Sequence, residues 1–292
     1  MRHDWRRRLW SRVQGVRVGL DEVGNDVTRI RIASFGTWTL GIEVNAYLVG
    51  DILVDTGFSH ARGPLMTALE DREINLTCCT HAHEDHTGNC AAIAAAHRCP
   101  IMLRHAEALW DEGVRSLEKY RRAWWGAVDP FEVQEMPEVV ESAGRSLQAI
   151  PAPGHAMTQV ALFDDSTGDV FTGDLYVSPG AAAVLPWGNP WQEVDSLRRV
   201  AALRPKRMLT GHGFIAENPA SLLELKAERI EAAARRAVEL MSNGWQSRQV
   251  VAEIFPRGGR KDRFFEWLTS REFSRLNFVL AAVRHAPEEP EA

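Results

Sequence analysis

Three histidines and two carboxylates fall within six residues in the run Thr80-His81-Ala82-His83-Glu84-Asp85-His86-Thr87-Gly88-Asn89. Neutral imidazole is the commonest metal ligand, and carboxylate oxygen suits the same hard-to-borderline cations. The run follows a short strand predicted at 76–80. In an extended chain, residues two apart point the same way, so His81 and His83 can face one ion. A turn into helix at Asp85 would send Asp85 and His86 toward a neighbouring point. A split of that kind suits a pair of cations better than a single one. The chemistry on offer is Lewis-acid catalysis with an activated water.

One ion takes about three or four protein ligands, so more must come from elsewhere in the chain. Pro153-Gly154-His155, Thr172-Gly173-Asp174 and Gly211-His212-Gly213 have the right form. Each places one potential ligand beside glycine, just beyond strands predicted at 146–150, 169–172 and 207–210. Glycine lets the backbone turn sharply and approach closely. Such strand-end loops, carried on a rigid sheet, are where sites assemble. A lone histidine is ordinarily a hydrogen-bonded core or surface residue, and His3, His60, His97, His105 and His285 are read that way. Five of the ten histidines share the strand-end pattern, which the ordinary reading does not explain.

The elements that must position these residues alternate. Residues 27–32 switch between apolar and polar, as a half-buried strand does, and strands at 44–49 and 52–54 flank the hairpin signal Gly50-Asp51. Helix is predicted at 60–71 and at 89–97, where Pro100 stops it, then strand at 101–103 and helix at 105–128. A further strand at 159–163 and a helix at 193–203 complete an α/β (α+β) pattern. Beyond Gly213 the character changes. Residues 219–242 are rich in strong helix formers and end at Asn243-Gly244, with helical pieces at 247–255, 261–269 and 271–284. The expected organisation is a lead segment 1–24, a catalytic domain 25–215 and a C-terminal helical module 216–292, either separate or packed as a cap on the first domain.

Composition narrows the class. With 45% hydrophobic and 25% charged residues, the 292-residue chain reads as globular. A net charge of −5 argues against a bulk nucleic-acid binder. Cys78, Cys79, Cys90 and Cys99 form no C-x-x-C pair, which excludes a zinc ribbon or thioredoxin-like motif and leaves inert thiols. The basic start MRHDWRRRLW has no apolar segment behind it, and no long apolar run occurs, so a cytoplasmic protein without membrane contact is expected.

The run His81-Ala82-His83-Glu84-Asp85-His86, followed in order by His155, Asp174 and His212 and preceded by Val54-Asp55-Thr56-Gly57, resembles the metallo-β-lactamase superfamily over roughly residues 25–215. The resemblance implies a four-layer αββα sandwich with metals at one edge and a C-terminal helical domain beyond it. It assigns His81, His83 and His155 to a first metal, Asp85, His86 and His212 to a second, and Asp174 to a bridge between them. Asp55 would orient the histidine loop without touching metal. Two divalent ions per chain follow, zinc first, with iron or manganese as alternatives. The implied mechanism is attack by a metal-bridging hydroxide, with the developing oxyanion stabilised by the second ion. Asp85, if loosely held, could relay a proton.

Other residues are open to two readings. Tyr176, two residues after Asp174, is either an oxyanion donor or a packed core tyrosine. Trp187 and Trp191, in a loop rich in proline and glycine, and Trp124 and Trp125 either line a substrate pocket or pack. Arg229, Arg235, Arg236, Arg257, Arg260, Lys261 and Arg263 either capture an anionic substrate or form a solvated face with pairs such as Glu231–Arg235. The resemblance leads to a hydrolase of a small ester, thioester or lactone. A phosphodiesterase or ribonuclease of the same fold is the alternative, and a signalling or binding protein with a relic site a third. Aspartate at 174 disfavours β-lactam hydrolases that carry cysteine there. Nucleic acid is the less favoured partner, and the oligomeric state is left open.

Overall fold

Side-chain parity in the strands sorts the apolar residues into separate cores. The computed structural model describes residues 15–39, 42–106, 118–180, 184–256 and 260–288. Its strands are β1 (Arg17–Glu22), β2 (Val27–Ala33), β3 (Val44–Val49), β4 (Ile52–Val54), β5 (Leu76–Cys78), β6 (Ile101–Leu103), β7 (Gln134–Glu135), β8 (Val139–Ser142), β9 (Arg145–Pro151), β10 (Val160–Asp164), β11 (Asp169–Phe171), β12 (Arg207–Leu209) and β13 (Ile215–Glu217). Its helices are α1 (Phe35–Thr39), α2 (Arg62–Leu69), α3 (Glu84–Thr87), α4 (Cys90–His97), α5 (Lys119–Trp124), α6 (Pro190–Ala202), α7 (Ala220–Ser242), α8 (Ser247–Ile254), α9 (Arg260–Leu268) and α10 (Arg275–Arg284).

The strands form two mixed sheets. One runs in the order β1 to β7, and the other in the order β13-β12-β11-β10-β9-β8. Tyr47, Val49, Ile52 and Val54 of the first sheet meet Leu147, Val160, Leu162 and Phe171 of the second in a shared core. The neighbouring residues Ala46, Leu48 and Leu53 point the other way, onto Leu65, Leu69 and Ile93 of α2 and α4. In the second sheet, Ala161 and Phe163 turn outward onto Val194, Leu197 and the later helices. This is the expected αββα sandwich, and every residue of β3 and β10 is buried because both faces are covered.

The C-terminal helices share that outer core. Leu223, Ala227, Ile230 and Ala234 of α7 pack with Val194, Leu197 and Val200 of α6, and Phe278 and Ala282 of α10 join them. β13 pairs antiparallel with β12 and spans position 215. Of the expected helix at 105–128, α5 occupies 119–124, and 107–117 lie outside the described residues. The last helix begins at Arg275, not 271, because Ser274 caps it: its Oγ accepts from Asn277 N at 3.1 Å. Among the described residues, no helix is long and apolar enough to cross a membrane.

Candidate metal centre

Strand register brings the chemistry to one edge. β4 and β5 run parallel with Val54 beside Cys78, so Asp55 and Thr80 leave the sheet together. β11 and β12 run parallel with Phe171 beside Leu209, so the Asp174 turn and His212 leave together. Pro151 at the end of β9 lies opposite Val160, which places His155 on the same side. The sheets are tied there by Val160 N donating to Thr80 O at 2.8 Å and Asn45 N donating to Gly211 O at 2.7 Å.

At that edge the seven side chains converge. His83 Nδ1 lies 2.9 Å from His81 Nε2 and 3.0 Å from His155 Nε2. Asp174 reaches His86 Nε2 through Oδ1 at 3.2 Å, and His212 and His155 Nε2 through Oδ2 at 3.3 and 3.5 Å. Asp85 Oδ2 stands 3.8 Å from His86 Nε2 and 3.9 Å from His212 Nε2. Three overlapping groups result, His81-His83-His155, His81-His86-Asp174 and Asp85-His86-His212, each with ligand atoms within 4.8 Å of one another.

This donor set fits divalent cations. One ring proton on the His83 Nδ1 side can satisfy one of its two contacts, and the other sets lone pair against lone pair. Among the atoms that face one another, His86 Nε2 and Asp174 Oδ1 are buried without a hydrogen-bond partner. Such atoms are costly unless something binds them. The outer nitrogens are held by the protein. His86 Nδ1 lies 2.8 Å from Asp55 Oδ2, and His212 Nδ1 lies 2.8 Å from the Glu43 carbonyl, so each ring aims its Nε2 inward. Asp55 in turn accepts from Thr80 N at 2.7 Å and from Thr80 Oγ1.

The sequence matches the metallo-β-lactamase superfamily over residues 40–212. The chain belongs to that superfamily. Hydroxyacylglutathione hydrolase of Rhodobacter capsulatus is 28% identical over 167 residues, 56% of this chain and 58% of the relative. Thioesterase pkgB of Emericella nidulans is 26% identical over 193 residues, 63% of this chain and 50% of the relative. The chain thus spans little more than half the length of these curated relatives. A β-lactamase domain protein from Burkholderia ambifaria shares the fold with a TM-score of 0.66 at 17% identity, over 91% of this chain and 88% of that one.

Metal binding needs neutral imidazoles, and the charge distribution divides the five histidines into three held neutral and two whose charge a cation would displace. Burial holds His81 and His83 well below the ordinary imidazole range, helped by neighbouring histidine charge, and burial lowers His155 against the pull of Asp174. Burial also disfavours charge on His86 and His212, but carboxylates outweigh it. Asp55, Asp174 and Asp85 hold His86 well up, and Asp174 pushes His212 up to about 9. Burial would raise Asp174, yet His212 and His86 hold it well below the usual carboxylate range.

A pH prediction follows for the metal-stripped protein. The raised pair, His86 and His212, stabilises fully below the unfolded value of 6.5 and loses that contribution as pH climbs, for His212 through about 9. The three lowered histidines contribute fully above 6.5 and lose stability as pH falls. Their summed contribution should peak near pH 6.5 and decline on both sides. Denaturant titration across pH checks this, and loading with a divalent cation should flatten the alkaline limb.

The glycines beside these ligands do what their positions suggested. A Cβ on Gly211 would lie 2.7 Å from His86 Cε1 and 2.8 Å from Asp174 Oδ1. Gly211→Ala should therefore destabilise the protein by about 1–3 kcal/mol through overpacking. It should also lower metal occupancy, read together by thermal melting and elemental analysis.

The other expected residues fall differently. Tyr176 is buried in the core beneath α7, its ring stacked on Phe214 at 5.5 Å with Lys226 over its face. No contact joins it to the seven side chains among the described residues, so its surroundings are those of a packing residue. Trp125 is a core residue against Phe58, and Trp124 packs beside it and Tyr120. Trp191 donates from Nε1 to Ala282 O and carries Arg235 over its ring, fastening α6 to the C-terminal helices. Trp187 is the exposed member of the four.

Three of the tail arginines are engaged, and Arg263 is exposed. Arg235 pairs with Glu231, Arg236 with Glu239, and Arg229 donates to Pro179 O. Arg257 and the side chains of Arg260 and Lys261 lie outside the described residues. Sequence reasoning missed Arg121, which holds Glu84 of the histidine loop in a fully buried bidentate pair, both contacts 2.6 Å. Nothing in a lone arginine 37 positions away signals that contact.

Proposed function

We propose that this chain is a hydrolase of carbonyl substrates, thioesters first and esters or lactones beside them, working with two divalent cations. The observation that carries this reading is the convergence of seven candidate ligands in overlapping groups joined by Asp174. His81, His83 and His155 would hold one cation, Asp85, His86 and His212 the other, and Asp174 both. When bound, the pair supplies a water nucleophile at neutral pH and polarises the substrate carbonyl. Zinc is the expected metal, with iron or manganese as alternatives.

The chain's own groups have distinct tasks in this scheme. Asp55 and the Glu43 carbonyl keep the His86 and His212 rings in the tautomer that leaves Nε2 free. Asp85 is the loosest member, its contacts beyond hydrogen-bond length, and its side chain reaches the open side. Its Oδ2 is therefore the atom placed to take a proton from the attacking water and return it to the leaving group.

Thioesters rank first because two similar proteins are named as a hydroxyacylglutathione hydrolase and a thioesterase, and because a net charge of −5 disfavours a nucleic-acid backbone. The test is a panel on zinc-loaded protein: acyl thioesters, aryl esters and acyl lactones beside a phosphodiester and single-stranded RNA. Turnover of the carbonyl substrates is expected, abolished by a chelator and restored by zinc. Cleavage of the phosphodiesters alone would overturn the reading in favour of a nuclease, and no turnover at all would favour a relic site.

A further inference from the structure

The turn between α9 and α10 comes back over the metal centre. Ser270 and Arg271 take left-handed φ values of 52° and 63°, which ends α9, and the Ser274 cap then starts α10. Between them, Phe273 lays its ring over His155, centroids 6.5 Å apart and planes at 28°, with Phe265 behind it at 6.4 Å. Ser274 and Val184 exchange both backbone hydrogen bonds at 3.3 Å, which pins the turn to the loop before α6.

A buried chain of charges fixes the same turn to the histidine loop. Arg121 turns Nε and Nη2 on Glu84 and places Nη1 3.5 Å from Glu272 Oε1, while the Tyr120 hydroxyl donates to Glu272. Their side chains are 5%, 0% and 11% exposed. Ion pairs this deep are a poor source of stability compared with apolar packing, and their best-attested use is to fix register. Arginine alone offers a planar fork that can serve two carboxylates from different directions. Here it registers three segments remote in sequence: the loop carrying the candidate ligands, α5, and the C-terminal turn.

What that register places is Phe273, on the open side of the centre. His81 and His86 are wholly buried, whereas His155 and His212 keep 15% of their side chains exposed, so substrate must arrive past the latter pair. Met157 and Phe214, two residues beyond His155 and His212, are largely exposed and extend the apolar surface. We propose that Phe273 is a specificity-determining residue, the wall beside which the acyl part of the substrate lies. Arg121 is the positioning residue that holds this wall through Glu272. The substrate class is then an acyl chain of several apolar carbons, not a small hydroxyacyl group. This rests on the carbonyl-hydrolase reading above.

The test uses the zinc-loaded full chain and two readouts. Calorimetry compares decanoate with acetate as carboxylate products, and kinetics compares decanoyl with acetyl thioesters. Phe273→Ala should weaken decanoate binding and raise the decanoyl KM about tenfold, with kcat held within about twofold. Glu272→Gln should move both the same way, several-fold, because the wall loses its anchor. Phe273→Leu, which keeps an apolar wall, should retain most of the preference and guards against a misfolded alanine variant. Equal losses on acetyl and decanoyl substrates, or decanoate affinity indifferent to both changes, would overturn the proposal. A wild type that binds decanoate through Phe273 yet cleaves no ester or thioester would instead sink the hydrolase reading and leave the wall standing.

Discussion

Asp174→Ala is expected to strip both cations and to lower hydrolytic turnover by more than about 100-fold, beyond what loss of an orienting partner costs. Its carboxylate stands between the two groups of candidate ligands. Its Oδ1 faces His86, and its Oδ2 faces both His212 and His155, so the two groups of ligands share this one carboxylate. Removing it also strands charge, because when metal is absent Asp174 is the main group that raises His212 and, after Asp55, the next that raises His86. The comparison that makes the result specific is His86→Ala, which should cost the second cation and leave about one per chain. Asp174→Asn separates charge from volume and should resemble the alanine variant. Elemental analysis of the purified proteins reads the counts directly. Two cations and full turnover retained in Asp174→Ala would remove the bridging role.

The candidate centre was legible in the sequence because its candidate ligands sit at strand ends, as one histidine-rich run and three single residues beside glycine. Period-two alternation marks β2, and short apolar runs mark β3 and β10; once those strands are placed, register alone carries His155, Asp174 and His212 to the edge where the histidine run emerges. The close approach that glycine allows is also a local property: Gly211 lies against His86 and Asp174, where no side chain fits. What was not legible depends on distant pairing. The sequence shows Glu84 as one more carboxylate in the run, yet it points away from the ligands and into Arg121. Tyr176 illustrates the converse. It lies two residues from a candidate ligand, but after the helical turn Gly173–Leu175 its ring packs in the core beneath α7, stacked on Phe214. Proximity in sequence to a ligand predicts proximity in space only while the chain stays extended. The edge strands β1, β7, β8 and β13 escaped notice because short or polar segments carry little periodic signal.

Asp55→Asn tests whether the second cation depends on a proton held one layer further out. Asp55 is almost wholly buried and adopts a left-handed φ of 61°, a conformation that asparagine tolerates equally well, so the exchange adds no backbone strain. The carboxylate accepts on both sides, from Thr80 N and Thr80 Oγ1 and from His86 Nδ1. An amide can accept on one side only. If its oxygen faces Thr80 N, its NH2 faces His86 Nδ1, which must then give up its proton, and His86 Nε2 becomes protonated and unable to bind metal. If the amide is turned, the NH2 meets the Thr80 N–H and the histidine loop is pushed off its seat. Both orientations weaken the second cation, and a loss of about 10–100-fold in metal affinity is expected, with turnover falling in step. The first cation should be less affected, because Asp55 reaches His81 only at one remove, through the Thr80 hydroxyl 3.1 Å from His81 Nδ1. A competition titration against a chromophoric chelator resolves the two affinities. Equal weakening of both sites would point to collapse of the loop as a whole, and unchanged affinities would show that His86 does not take its tautomer from Asp55.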